Sequence, residues 1–271
     1  LIRVMPAEGP EMHHPQAASR KSVAQSAAEI LTRLRAQRPR VHCITNTVAQ
    51  NLTANALLAV GCVPSMTLSM EEVDSFVSGA QALLVNLGTF DRERREAMTI
   101  AVEAARSNTL PWVLDPVFVD RVPTRAAFAR ELIGRRPAVI RLNHAEFSTL
   151  AGGKPLCDAV VTYARISQTV VGLSGESDLV SDGEQTVSVA NGHPLMARVT
   201  AMGCAGSALV AACLSMESDA LLATAAALLM INVAGELAAE NSAGPGSFAV
   251  SIIDALYNLE GPVLIARAKV S

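Results

Sequence analysis

A chain of 271 residues, half of them hydrophobic but only 3% aromatic, must build its core from Ala, Val, Leu and Ile. That composition favours helices packed closely on a parallel sheet. A formal net charge of −3, with the arginines scattered rather than striped, leaves no basic footprint for nucleic acid.

Residues 1–20 carry Pro6, Pro10 and Pro15 with two adjacent histidines and lack the apolar run of a signal peptide, so they read as a mobile N-terminal arm ahead of one domain over 21–271. From residue 22 onwards strand-like and helix-like segments alternate. Ser22 to Gln37 places Val23, Ile30, Leu31 and Leu34 on one helical face, and the strand Arg40 to Ile44 follows. Thr47 to Ala59 reads as helix and Cys62 to Met66 as extended chain. Ala82 to Asn86, Trp112 to Leu114, Ala138 to Arg141 and Thr169 to Leu173 are short apolar runs, each preceded by a helical stretch. Leu179-Val180 and Thr186 to Val189 flank Asp182-Gly183, the signature of an antiparallel hairpin at one edge of the sheet. Three helices close the chain, over Gly203 to Ser215, Ala220 to Asn241 and Ser247 to Asn258. The apolar stretch Leu221 to Ala234 falls short of the ~18 apolar residues of a membrane span and reads as a buried helix.

Five cysteines (Cys43, Cys62, Cys157, Cys204, Cys213) include no Cys-x-x-Cys pair and no zinc-like spacing with histidine, which fits reduced thiols in a cytoplasm. Cys204 stands apart from the others. In Val199-Thr200-Ala201-Met202-Gly203-Cys204 a turn ending in Gly203 opens onto a long apolar helix. Its free N–H groups would hold phosphate oxygens, and its dipole would lower the Cys204 pKa. Polar residues also follow the strands, where an open α/β sheet binds its ligand. They are Thr45-Asn46, Met66-Thr67, Asp115-Pro116, Arg141 through Glu146, and Ser174 through Asp178. Two carboxylates for a metal, an arginine for phosphate and a helix N-terminus are the parts of phosphoryl transfer. Each residue also has an ordinary reading. Asp115 before proline suits a turn, Asn46 suits a helix cap, Met66 suits core filling, and Arg141 with Glu146 suits a surface ion pair.

Taken in order, Ile44-Thr45-Asn46, Asn51 to Asn55, Gly61 to Met66, Asn86-Leu87-Gly88-Thr89, Val113 to Val117, Val139 to Asn143, Val199 through Cys204 and Gly244 to Phe248 resemble the hydroxyethylthiazole kinases, a branch of the ribokinase-like superfamily. The resemblance spans roughly residues 25–270. It implies a three-layer α/β/α fold with a mostly parallel central sheet flanked by helices. It also implies a homotrimer with sites near subunit interfaces, and transfer of the ATP γ-phosphate to the primary hydroxyl of the thiazole alcohol with Mg²⁺. Carried over position by position, Asn46, Met66 and Gly203 fall in the substrate pocket, Arg141 and Ser174 at ATP, and Asp115 and Glu146 at the metal. Gly203 and Cys204 fall at the anion hole and at the place of the superfamily's catalytic base.

Two departures from the family pattern bear on specificity. Ala201-Met202 stands where the family has Gly-Thr, and Phe118-Val119-Asp120 replaces a small, glycine-rich turn. They motivate two alternatives within the fold, a kinase of a pyrimidine-type alcohol or a protein that binds nucleotide and thiazole without turnover. A cysteine hydrolase pairing Cys204 with His193 is the rival from another class.

Overall fold

Polar residues sit at the carboxyl ends of almost every strand, and the chain folds so that those ends share one edge. The computed structural model describes residues 20–271, so the expected N-terminal arm lies outside the described residues except for Arg20, which begins the first helix. In chain order the elements are α1 (Arg20–Gln37), β1 (Arg40–Ile44), α2 (Gln50–Ala59), β2 (Val63–Ser65), α3 (Val73–Ser78), β3 (Ala82–Asn86), α4 (Arg92–Ser107), β4 (Trp112–Asp115) and α5 (Pro123–Ile133). There follow β5 (Val139–Asn143), α6 (His144–Ala151), α7 (Cys157–Ser167), β6 (Val170–Ser174), β7 (Asp178–Ser181), β8 (Thr186–Val189), a 3₁₀ turn Pro194–Arg198, α8 (Met202–Leu214), α9 (Ala220–Glu240), α10 (Pro245–Tyr257) and α11 (Gly261–Arg267).

The eight strands form one sheet in the order β2-β1-β3-β4-β5-β6-β7-β8. Neighbours from β2 to β6 run parallel, and β7 and β8 are antiparallel about the expected turn, where Gly183 takes φ 96°. Alternate strand residues feed two separate cores. Val41, Cys43, Leu84, Val113 and Val139 pack with α1, α2, α8, α9, α10 and α11. Ile44, Leu83, Val85, Leu114 and Ile140 pack with α3 to α7. The result is the expected three-layer α/β/α arrangement.

Within the first layer α9 is apolar on all sides because α1, α8, α10 and the sheet surround it. It is longer than the apolar run read from the sequence. An 18-residue window of it reaches a mean hydropathy of 1.8, but 78% of that window is buried inside the protein. Three strands also run one or two residues further than the apolar pattern indicates. Asn86 pairs with Asp115 and Asn143 with Ser174, so residues expected just beyond the strands are their last rungs. Helix α2 starts three residues late, because the carbonyl and side chain of Asn46 both take the Ala49 N–H in a preceding turn. Helix α8 starts one residue early. Its left-handed residue is Ala201, at φ 69°, and Gly203 lies within the first helical turn.

Candidate active site

Strand order reverses direction at β1, which lies between β2 and β3, and the crevice at such a switch point is where an open sheet binds its ligand. The carboxyl ends of β1, β3 and β4 deliver Asn46, Asn86 and Asp115 there, the middle of β5 adds Arg141, and the first two turns of α8 deliver Gly203, Cys204 and Ser207 against them.

Hydrogen bonds join these side chains into one cluster. Asp115 Oδ2 accepts from Asn86 Nδ2 at 2.6 Å and from Ser207 Oγ at 2.9 Å. The Cys204 sulfur accepts from Asn46 Nδ2 and Asn86 Nδ2, each at 3.3 Å. Arg141 lays its guanidinium against the start of α8 and donates from Nη1 to the Gly203 carbonyl at 2.9 Å. A Cβ at Gly203 or Gly206 would stand 3.4 Å from the guanidinium nitrogens, so the two glycines make room for its flat face. No side chain caps α8, so its first-turn N–H groups stay available to an anion.

Electrostatics correct one expectation. The helix start does not depress the Cys204 pKa; burial, reinforced by the Asp115 charge, pushes the thiol up to about 12 against the opposing pull of Asn46, Asn86 and Arg141. Desolvation outweighs the dipole because Cys204 is only 9% exposed. Burial likewise raises Asp115, with Arg141, Ser207 and Asn86 opposing it. Glu146 is pushed up to about 7, first by burial and then by the Asp115 charge.

Glu146 is buried and makes no surface pair with Arg141. Its carboxylate closes the capping box of α6, accepting from Asn143 N at 2.9 Å, and also accepts from Phe118 N at 3.2 Å. Two buried carboxyl groups, the charge of Asp115 raising the proton affinity of Glu146, suit a hard cation with oxygen ligands. Among the described residues no third His, Cys, Asp or Glu completes a protein cage. A divalent ion completed by substrate phosphates and water fits that donor set.

The other expected residues lie outside this cluster. Ser174 donates to the Leu142 carbonyl at 3.2 Å, at the end of β6 on the Arg141 side. Met66 follows β2, half-buried against the first core. His193 is exposed and caps the 3₁₀ turn through Leu195 N, so Cys204 has asparagines rather than an imidazole as partners and the hydrolase pairing is absent. Asn46 fills both of its readings at once, capping a turn and touching Cys204.

Two members of the cluster receive no role from the sequence, Asn86, which appears there only as part of a matching motif, and Ser207. Their traces in the chain are an asparagine ending an apolar run two residues before Gly88, and a hydroxyl one helical turn beyond Gly203. At the mouth, Arg125 Nη1 bridges the carbonyls of Gly88 and Val117, each at 3.1 Å. The Phe118 ring, 54% exposed with its backbone at φ 62°, lies against the same guanidinium.

A mostly parallel sheet of this order between two helical layers is the fold of ribokinase-like proteins. Structural neighbours share the fold at low identity. A ribokinase-like superfamily protein from Enterococcus faecalis matches with a TM-score of 0.66 at 12% identity, covering 84% of this chain and 90% of that one. The hydroxyethylthiazole kinase protein of Pyrococcus horikoshii matches more closely, with a TM-score of 0.86 at 38% identity over 90% of this chain and 98% of that one. A probable hydroxyethylthiazole kinase of Agrobacterium fabrum is 46% identical over 247 residues, 91% of this chain and 95% of that protein. The hydroxyethylthiazole kinase of Granulibacter bethesdensis is 44% identical over 253 residues, 89% and 92% of the two chains. The model of the hydroxyethylthiazole kinase family matches residues 31–261, and the chain belongs to that family.

Proposed function

We propose that this protein transfers the γ-phosphate of ATP to the primary hydroxyl of 4-methyl-5-(2-hydroxyethyl)thiazole, a step of thiamine salvage. The observation that carries the proposal is the Arg141 guanidinium held against the uncapped first turn of α8, beside Asp115. There an arginine and helix N–H groups meet the equatorial oxygens of a transferring phosphoryl group without reorganising. The bond from the acceptor oxygen to the γ-phosphorus forms as the bond to the β,γ-bridging oxygen breaks, and the hydroxyl proton leaves to an oxygen of the transferred phosphoryl group and from there to water.

Asn46, Met66 and Gly203 line the alcohol's side of the crevice, and Arg141 and Ser174 the nucleotide's side. Asp115 and Glu146 are placed to hold Mg²⁺, which would neutralise phosphate charge when bound with ATP. Cys204, at about 12, is a neutral thiol at physiological pH and not a base. A loose phosphoryl transition state leaves little covalent chemistry for a side chain to perform. We further propose a cytoplasmic homotrimer with sites near its subunit interfaces.

The test is incubation with ATP, Mg²⁺ and hydroxyethylthiazole, following product mass and ADP release together, with Arg141→Ala as control. Thiazole phosphate formed in step with ADP and lost in the control is expected. Saturable thiazole binding without product would favour a binding protein, and product only with the pyrimidine alcohol would move the acceptor assignment.

A further inference from the structure

We propose that Asn86 is the positioning residue of the transfer site, its one amide holding the Asp115 carboxylate and the Cys204 sulfur in fixed relation. This rests on the kinase reading above. The orientation of the amide follows from its neighbours. The Gly88 N–H can only donate and lies 2.9 Å from Asn86 Oδ1, so the oxygen end faces Gly88 and the nitrogen end faces Asp115 and Cys204. Asn46 is fixed in the same way, because the Ala49 N–H is 2.9 Å from its Oδ1. Asn46 Nδ2 also donates to Asn86 Oδ1 at 3.2 Å. Asn86 therefore uses two donors and two acceptors, the full capacity of its amide, and does so at 0% exposure.

Rigidity follows from that saturation, since a buried amide with every bond made has no second orientation of comparable energy. Its place in the sheet adds to this. Asn86 and Asp115 are register partners on adjacent parallel strands, and the 2.6 Å bond is a short contact to a carboxylate oxygen. Asn86 and Ser207 both bind Oδ2, so the carboxylate cannot rotate, and Oδ1 has no protein partner among the described residues. With two amides donating to it, the Cys204 sulfur directs its own S–H away from them. Loss of Asn86 would leave the carboxylate held by Ser207 alone and the thiol by Asn46 alone, although the residue provides none of the phosphate contacts.

Asn86→Ala and Asn86→Leu test this. The second keeps the side-chain volume while removing both donors, and adds no charge beside Asp115, so it leaves no cavity if the first fails to fold. The single-turnover transfer constant with enzyme in excess, which a smaller folded fraction does not change, is expected to fall about a hundredfold. Calorimetric affinities for ATP and the alcohol should stay within about threefold of wild type. The infrared S–H stretching band of Cys204, assigned by its disappearance in Cys204→Ser, should shift in both variants. A transfer constant within about threefold of wild type, or an unmoved S–H band, overturns the proposal. If the wild type itself transfers no phosphoryl group the kinase reading fails, and the S–H band alone then decides whether Asn86 holds the sulfur.

Discussion

Cys204 is held as a thiol, so its chemistry is set by desolvation rather than by the helix start it lies in. Cys204→Ser is therefore expected to keep turnover within about tenfold of wild type, whereas Arg141→Ala should lose roughly a hundredfold or more, since it removes charge from the developing phosphoryl group. Steady-state kcat measured on both variants decides, and equal losses would restore a base at Cys204. Glu146 supports a pH prediction. Its pKa is about 7 in the folded protein against an ordinary 4.5, so the folded state binds the extra proton. The stability gained is complete below the unfolded value and is lost as pH rises through the folded one. Without metal, wild type should lose roughly 3 kcal/mol relative to Glu146→Gln across that window, read from urea unfolding at each pH. A flat difference would mean that the carboxyl is not desolvated.

At the scale of elements, the alternation of apolar runs was readable because parallel strands buried on both faces have no polar side to interrupt them. What the pattern missed has physical causes. Helices α3 and α11 span six and seven residues, too few for a helical period to show. Asn86 hides as the last letter of an apolar strand, and its partners come from β4 and α8, far along the chain. Ala201 is the telling position, because its left-handed conformation favours glycine. Ala201→Gly should stabilise the protein by about 1 kcal/mol, visible as a higher unfolding midpoint. A lower midpoint would mean that the Ala201 methyl makes contacts outweighing its strain. Helix α9 reaches the loop after β6 through buried Asn232, which donates to Asp178 Oδ2 at 2.8 Å, while Asp178 Oδ1 accepts from Gly175 N at 3.1 Å, and on the proposed function this loop borders the nucleotide. Asn232→Ala should therefore raise KM for ATP severalfold and leave KM for the alcohol unchanged. Equal effects on both constants would contradict a role confined to the loop after β6.

On the scale of the whole molecule, the carboxyl edge of the sheet gathers the buried polar cluster, and polar residues after the strands are legible in the order of motifs before any coordinate. Assembly is where sequence reasoning relied on resemblance alone. If sites are shared between subunits, specific activity should fall on dilution below the assembly constant. A flat activity together with a monomeric mass would refute the shared site. Strand β4 spans this division, with Trp112 buried at its amino end and Asp115 at its carboxyl end, about 10 Å of extended chain apart. Trp112 is the chain's single tryptophan, and it is walled into the second core. Its fluorescence is thus a reporter of global melting that stays dark to events in the crevice, and ligand titrations on this enzyme call for heat or an extrinsic dye as their signal.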